Sequence, residues 1–331
     1  MAYLRAAENT IHKAFARSIP PDVRLIFGYG SGIFKQLGHG DENANMLDYV
    51  VVVDDPVAWH EQNLALNRRH YSFLKYGGAK FLAEVQCGFG AAVYFNSLVP
   101  FEDRLVKYGV IATADLRKDL RNWTTLYISG RLHKPVLVVE DALDINQQDC
   151  LRSNLQAAVQ TSLLLLPDAF TDEDLFLTIA GLSYTGDFRM KFGEDRNKVR
   201  NIVIPHMERF HDLYRPVLEK LQEVDCSANN RTFWQDGSPA ARFTLLSDLP
   251  LNVRDKIVRN NLKGNRNKDI SVILDGVAHG ADVGKSVSTA CHDIVSYSSR
   301  WQSAKGIFTA GLIKSVKYGS AKVRKMIKSL R

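Results

Sequence analysis

Apolar residues gather first into short β-branched runs and later into helical stripes, and that change divides the chain. Val23 to Phe27 runs apolar into Gly28-Tyr29-Gly30-Ser31-Gly32, a strand entering a glycine-rich bend. After a polar stretch, Met46 to Val53 is β-branched enough for a central strand, ended by Asp54-Asp55-Pro56. Helical spacing follows over 58–74, and further strands are predicted at 81–86, 91–95, 106–111, 126–128 and 135–139. From about residue 141 β-branched runs become rare. Helices are predicted over 147–166 and 172–181, the second capped by Thr171 or Asp172. The pattern therefore predicts an α/β (α+β) protein: a mixed-sheet domain over 1–145 and a mostly helical domain over 146–299.

Beyond residue 300 the pattern changes again. Trp301, Phe308, Leu312, Val316, Val323, Ile327 and Leu330 recur at helical intervals, softened near Gly319. The charge of this segment is one-sided. Nine of the 43 basic residues lie from Arg300 onward, among them Lys305, Lys314, Lys317, Lys322, Arg324 and Lys325, with no acidic residue between them. Residues 1–299 then hold 34 basic and 36 acidic residues, so the body is close to neutral and the tail, 300–331, is cationic. A basic amphipathic helix suits an anionic membrane surface, with Trp301 and Phe308 entering the interface and the cations meeting headgroups. The stripe is not an array of stacking positions, and the neutral body lacks a basic track, so no nucleic-acid partner is expected. The alternative is a C-terminal helix packed on its own domain.

At 331 residues and 45% hydrophobic composition, about two domains with real cores are expected, which excludes disordered and fibrous classes. No apolar run approaches the ~18 residues of a membrane span. The four cysteines are scattered without a C-x-x-C pair, so neither a disulfide framework nor a zinc knuckle is indicated, and a reducing compartment fits. The first twenty residues are mildly basic and read either as an organellar transit segment or as an ordinary first helix.

The candidate chemistry lies in the first half. Gly30-Ser31 lets backbone N–H groups and a hydroxyl approach a triphosphate, because glycine carries no Cβ. Asp48, seventeen residues after Ser31 on the apolar strand, offers a carboxylate to Mg²⁺ on the same phosphates. Such parts suit nucleotidyl transfer by in-line displacement at a phosphorus; a plain hairpin turn would carry the same glycines. The position two residues after Asp48 is Val50, so no second strand carboxylate is available beside it, and another ligand must come from elsewhere.

Several blocks are longer and more unusual: FGYGSGIFKQ (27–36), MLDYVVVVDDPVAWH (46–60), NLALNRRHYS (63–72), LYISGRLHKPV (126–136), SLLLLPDAF (162–170) and DLFLTIAGLSYTGDFRMKFGED (174–195). With FGAAVYFN (89–96) and KYGVI (107–111), they resemble the mitochondrial-type phosphatidate cytidylyltransferases, the translocator assembly and maintenance family, from about residue 20 to 330. The resemblance implies a nucleotidyltransferase-fold domain followed by a winged-helix-like helical domain. It implies conversion of CTP and phosphatidic acid to CDP-diacylglycerol and pyrophosphate with Mg²⁺, feeding cardiolipin and phosphatidylglycerol synthesis. The implied place is the matrix side of the inner mitochondrial membrane, or the cytoplasmic membrane face for a bacterial source.

On the same resemblance Gly30, Ser31 and Asp48 match the turn and metal positions. Asp187, in the block 183–191, is expected to complete the metal site or orient the attacking phosphate; alternatively it bonds only the amides of its own Gly-Asp turn. Lys107, Arg189 and Lys191 are candidate phosphate contacts in nucleotide binding, with Arg131 and Lys134 as additions. Tyr29 and Phe34 either stack on cytosine or fill the core, and Asn67 and Tyr71 are candidate base or ribose contacts. His60, His70 and His133 are assigned structural roles, since a phosphatidate oxygen is anionic without a strong base. A homodimer is compatible with the sequence, which does not itself fix an oligomeric state. Two other functions remain open: nucleotidyl transfer to RNA or a soluble acceptor, and a non-enzymatic membrane adaptor.

Overall fold

The computed structural model describes residues 3–35, 45–192, 195, 197–221, 224–227, 231–262 and 269–310. The first half contains β1 (Leu4–Arg5), α1 (Ile11–Arg17), β2 (Leu25–Tyr29), β3 (Leu47–Val53), α2 (Pro56–Asn67), α3 (Gly78–Gly88), β4 (Val93–Phe101), β5 (Arg104–Ala112), α4 (Thr113–Asn122), α5 (Ser129–Leu132) and β6 (Leu137–Asp141). Its six strands form one mixed sheet in the order β1-β6-β2-β3-β5-β4. β3 lies at the centre, antiparallel to β2 and parallel to β5. Every residue of β3 except Asp48 is buried. Alternation along the strand sends Val50 and Val52 to one face, with Phe27, Ile111, Leu116 and Leu151, and Tyr49, Val51 and Val53 to the other, with Phe15 and Trp59.

The second half contains α6 (Ile145–Leu163), β7 (Ala169–Thr171), α7 (Asp172–Gly181), α8 (Arg189–Phe192), α9 (Lys198–Val203), α10 (Met207–Leu218), β8 (Val224–Cys226), β9 (Thr232–Gln235), α11 (Pro239–Asp248), α12 (Leu251–Asn261), α13 (Ile270–Ala278) and α14 (Val283–Ala310). Its three strands make a small sheet ordered β7-β9-β8. Local chemistry sets the helix starts. Asp55 caps α2 ahead of Pro56, while Asp144/Gln147 and Thr171/Asp174 form reciprocal capping boxes on α6 and α7. α6 serves both halves: Cys150 and Leu151 join the core under the sheet, and Leu155 to Leu163 join that of the helices. Among the described residues no helix is long and apolar enough to cross a membrane.

Two of the expected strands have a different structure. Residues 81–86 lie inside α3, where Leu82, Ala83 and Gln86 make the buried stripe; Leu, Ala, Glu and Gln are good helix formers, and helical spacing prevails over a short alternating reading. Residues 126–128 form a turn. The buried Asp119 carboxylate accepts hydrogen bonds from the backbone N–H groups of Thr125, Leu126, Ile128 and Ser129, which takes the donors a strand ladder would use.

The expected boundary at 300 falls within α14, which runs unbroken through it. This helix returns to the first half and closes the outer edge of the large sheet. The Gln302 side chain accepts from Ala91 N (3.0 Å) and donates to Val93 O (3.1 Å), standing in for a neighbouring strand beside β4. Lys305, expected at a lipid surface, is instead fully buried: its Nζ donates to Gln86 O (2.8 Å) at the C-terminal end of α3, where carbonyls favour a cation. Burial pulls its pKa down to about 8. Trp301 and Phe308 are exposed, whereas Lys314, Lys317, Lys322, Arg324 and Lys325 lie outside the described residues.

Replacing Gln302 with Ala leaves the Ala91 donor and the Val93 acceptor without their partner. The expected cost is about 1–3 kcal/mol in urea unfolding; an unchanged midpoint would show that Gln302 does not hold the sheet edge.

Candidate active site

Strand register builds the first wall of the site. Tyr29 at the end of β2 pairs with Asp48 at the start of β3, and Asp48 pairs with Lys107 in β5. Side chains at paired positions share a face, so these three form a row across the sheet end, beyond the apolar core. The Lys107 Nζ donates to Asp48 Oδ1 at 2.7 Å, with both side chains about one-fifth exposed. The ammonium also lies over the Phe95 ring, 4.9 Å from its centroid, and near that of Tyr29.

The glycine bend closes over this row. Gly30 has φ +80°, and its carbonyl accepts from Ile33 N and Phe34 N, folding 30–34 back on itself. A Cβ at Gly30 would stand 3.5 Å from Asp48 Oδ2, so bend and carboxylate are neighbours. Gly32 is constrained more tightly: a Cβ there would lie 2.2 Å from the Met46 carbonyl oxygen. Ser31 sits between the two glycines, half-buried, with its carbonyl accepting from Asn45 Nδ2.

A second wall is cationic. The turn held by Asp119 carries Tyr127, and α5 follows with Arg131. The Arg131 guanidinium lies 3.9 Å from the Tyr127 ring centroid and 5.0 Å from that of Tyr29, and it donates to Tyr127 O. Its Nε has no hydrogen-bond acceptor. Burial alone would raise the Tyr127 pKa, but Arg131, Arg189 and Lys107 together lower it, which places all three cations within electrostatic reach of one phenol. Lys134 donates to Gly130 O and to Ser183 Oγ (2.9 Å); burial, reinforced by Arg131, pulls its pKa down to about 7.

The second half contributes residues 183–189. Gly130 packs so closely on Ser183 that a Cβ would meet the Ser183 Cβ at 2.4 Å, and Gly186, at φ +80°, abuts the His292 carbonyl of α14. Asp187 is 2% exposed and holds Arg189: Nε lies 3.0 Å from both carboxylate oxygens and Nη2 2.5 Å from Oδ2, with Arg189 N donating to Oδ1. The turn bond foreseen for Asp187 is therefore present together with an ion pair that the sequence did not reveal. In this arrangement both carboxylate oxygens of Asp187 are engaged by the Arg189 guanidinium. The Lys191 side chain lies outside the described residues.

Other candidates lie elsewhere. Tyr71 is buried, donating to His60 Nδ1 and accepting from Asn63, and Asn67 donates to Ser18 O and Asn63 Oδ1. Both belong to the network around Asn63 and Tyr108, on the sheet face opposite Asp48 and Lys107, which corrects their assignment as base contacts. Phe34 is buried edge-on to His206 and under Arg209, joining the bend to the second half. Burial pulls His60 down to about 4 and His133 to about 3, so both are neutral structural groups.

Sequence reading missed Asp119 and Tyr127. Asp119 had a readable signal, an acid on the stripe Leu116-Asp119-Leu120 that α4 buries. Tyr127 had none.

The sequence model of the family described as "Phosphatidate cytidylyltransferase, mitochondrial" matches residues 12–325. The chain belongs to this family. Among its relatives, the protein of that name from Danio rerio is 46% identical over 332 residues, covering 99% of this chain and 98% of its own. The Xenopus laevis protein is 46% identical over 314 residues, covering 94% and 93%, and the Caenorhabditis elegans protein is 39% identical over 309 residues, covering 93% and 95%. The matched range includes the glycine bend, Asp48, Lys107, Arg131, Lys134 and residues 183–189.

Gly32→Ala places a methyl against rigid backbone. It is expected to lower stability by about 1–3 kcal/mol, the scale of overpacking, read as a fall in the thermal midpoint; a native midpoint would show that the bend can move off β3.

Proposed function

We propose that this chain is a phosphatidate cytidylyltransferase that joins CTP and phosphatidic acid into CDP-diacylglycerol and pyrophosphate. The observation that carries the reading is the row Tyr29-Asp48-Lys107 beneath the glycine bend, with Arg131, Arg189 and Lys134 gathered beside it. Cations outnumber carboxylates there, and both substrates are polyanions. Together they present a triphosphate and a phosphomonoester, whose charges must be brought close together.

In the transfer an oxygen of the phosphatidate attacks the α-phosphorus of CTP, and the bond from that phosphorus to the β-bridging oxygen breaks. Pyrophosphate carries away the electron pair. The lipid phosphate is already anionic, so no side chain need remove a proton, and the neutral His60 and His133 agree with that. The Gly30-Ser31 bend cradles phosphate oxygens, Lys107 and Lys134 supply point charges, and Arg131 and Arg189 supply planar forks. Asp187 fixes the angle of Arg189.

Asp48, a single carboxylate beside the glycine bend, would be the protein group that holds a Mg²⁺ brought in with the triphosphate. No cluster of three or more His, Cys, Asp or Glu side chains occurs among the described residues, so a protein-only cage is not the design offered. When bound, Mg²⁺ would neutralise charge on the attacking and leaving oxygens. Lys107, paired with Asp48 in the same row, would supply a cation to the triphosphate beside that carboxylate. The reading includes work at the matrix face of the inner mitochondrial membrane, where the lipid substrate lies in the sheet and the enzyme on it.

With labelled CTP, phosphatidic acid vesicles and Mg²⁺, the native chain is expected to form CDP-diacylglycerol and Asp48→Ala to lose roughly 10²-fold or more of the rate, several kcal/mol of barrier. Product that persists in Asp48→Ala would displace the site; no product from the native chain under any lipid composition would favour an adaptor. Asp187→Asn is expected to keep the thermal midpoint while turnover drops about tenfold or more, ~1.4 kcal/mol; near-native turnover would return Asp187 to a turn-stabilising role.

Lys134 supplies a pH signature. Its folded pKa, near 7, lies below the ordinary lysine value, so its cation is present below pH 7 and is lost as pH rises. The ratio kcat/KM for CTP should fall on the alkaline side of about 7, and Lys134→Arg should move that limb upward. An unchanged profile in the variant would exclude Lys134 from phosphate binding.

A further inference from the structure

α14 is inside-out in its last four turns. Ser298, Gln302, Lys305 and Thr309, at steps of four, three and four residues, are 0–3% exposed and face the protein. Tyr297, Trp301 and Phe308, at steps of four and seven, are 65, 47 and 55% exposed and face outward. A helix that turns polar side chains inward and aromatic ones outward has its apolar stripe on the wrong side for water.

The first half extends this stripe. Ser72 Oγ donates to Phe308 O (3.0 Å), which sets the exposed Phe73 and Tyr76 beside the end of α14, and Phe89 meets the Trp301 ring edge-on at 6.4 Å. Cations border the aromatics. The stretch 68–89 carries Arg68, Arg69, Lys75 and Lys80 against Glu84 alone, with Arg68 and Lys75 both within 6 Å of the Tyr76 ring centroid (5.9 and 5.7 Å). Residues 311–331, which follow Ala310 directly in the sequence, add seven basic residues and no acidic one.

We propose that Phe73, Tyr76 and Phe89 of the first half join the outer stripe of α14 in one docking face for an anionic lipid surface, so that the folded body as well as the tail engages the membrane. Aromatic rings suit the interfacial depth, where one part of each side chain is apolar and another wet, and the bordering cations meet headgroup phosphates. The face is built on the helix that supports the cleft: Ser298 Oγ donates to Thr125 O (2.7 Å), two residues from Tyr127, and Gly186 abuts His292. Docking there fixes the orientation of the cleft toward the lipid plane, whereas a tail alone would leave the body free to tumble. The proposal rests on the cytidylyltransferase reading only for its acceptor lipid.

The test is flotation of the full chain with vesicles of phosphatidylcholine alone and of equal parts phosphatidylcholine and phosphatidylglycerol. Phe73→Ser with Tyr76→Ser is expected to lower partitioning onto the anionic vesicles by about tenfold or more, given the aromatic area withdrawn. The same variant should keep native turnover with a short-chain, water-soluble phosphatidic acid and lose it on vesicles. Unchanged flotation would overturn the proposal and leave the tail as sole anchor; equal native flotation on neutral vesicles would overturn its charge component. A native dimer in sedimentation that the variant abolishes would assign the face to a second copy instead. Absence of turnover on the soluble lipid would count against the cytidylyltransferase reading, while flotation would still decide the docking face.

Discussion

A charged carboxylate at the head of a strand made otherwise of buried apolar residues is tolerated only with a partner, and Lys107 supplies it to Asp48 across one strand pairing. The constraint that the molecule depends on is therefore register. If β3 slipped by one residue, Val50 and Val52 would change faces, and Asp48 would point into the core of Phe15 and Trp59. The alternation that fills the two cores is the same alternation that aligns Tyr29, Asp48 and Lys107. Stability and site geometry cannot be varied independently here, because both are set by the pairing of β2, β3 and β5.

The opposite wall follows a related logic with different parts. Two buried carboxylates, Asp119 and Asp187, position cations by bonding protein groups. Asp119 spends its oxygens on backbone donors of the turn bearing Tyr127, which leads into α5 and Arg131. Asp187 spends its oxygens on Arg189. Each guanidinium is thus held in place, which on the proposed reading reduces the ordering cost of binding an anion.

Much of the first wall was legible in the sequence, because a glycine bend followed by a β-branched run with one acid is a local pattern, and strand pairing keeps local patterns intact. Gly30 and Asp48 stood out in this way and Lys107 as a cation at a strand start, and the structure brings the three together. The α6 and α7 starts were legible for the same reason, as capping residues announce themselves within four positions. What escaped depends on contacts between distant residues. Lys305 looked like one more surface cation in a basic tail, and only the approach of α14 to α3 makes it a buried donor. Tyr71 looked like a ligand contact, and only the meeting of α2 with the sheet makes it a core phenol. The strand expected at 126–128 failed because the Asp119 side chain took its backbone donors.

Gln302 reaches β4 across more than two hundred residues of sequence, and that separation bears on how the polypeptide is made. While the chain emerges from a ribosome, or threads through a translocase, the outer edge of the large sheet has its cover still to come until α14 follows, some two hundred residues after β4. An uncovered strand edge invites pairing with other nascent chains. Completion of the large sheet must therefore wait for α14, and during that interval a chaperone that shields β4 would do the work that one amide side chain does afterwards.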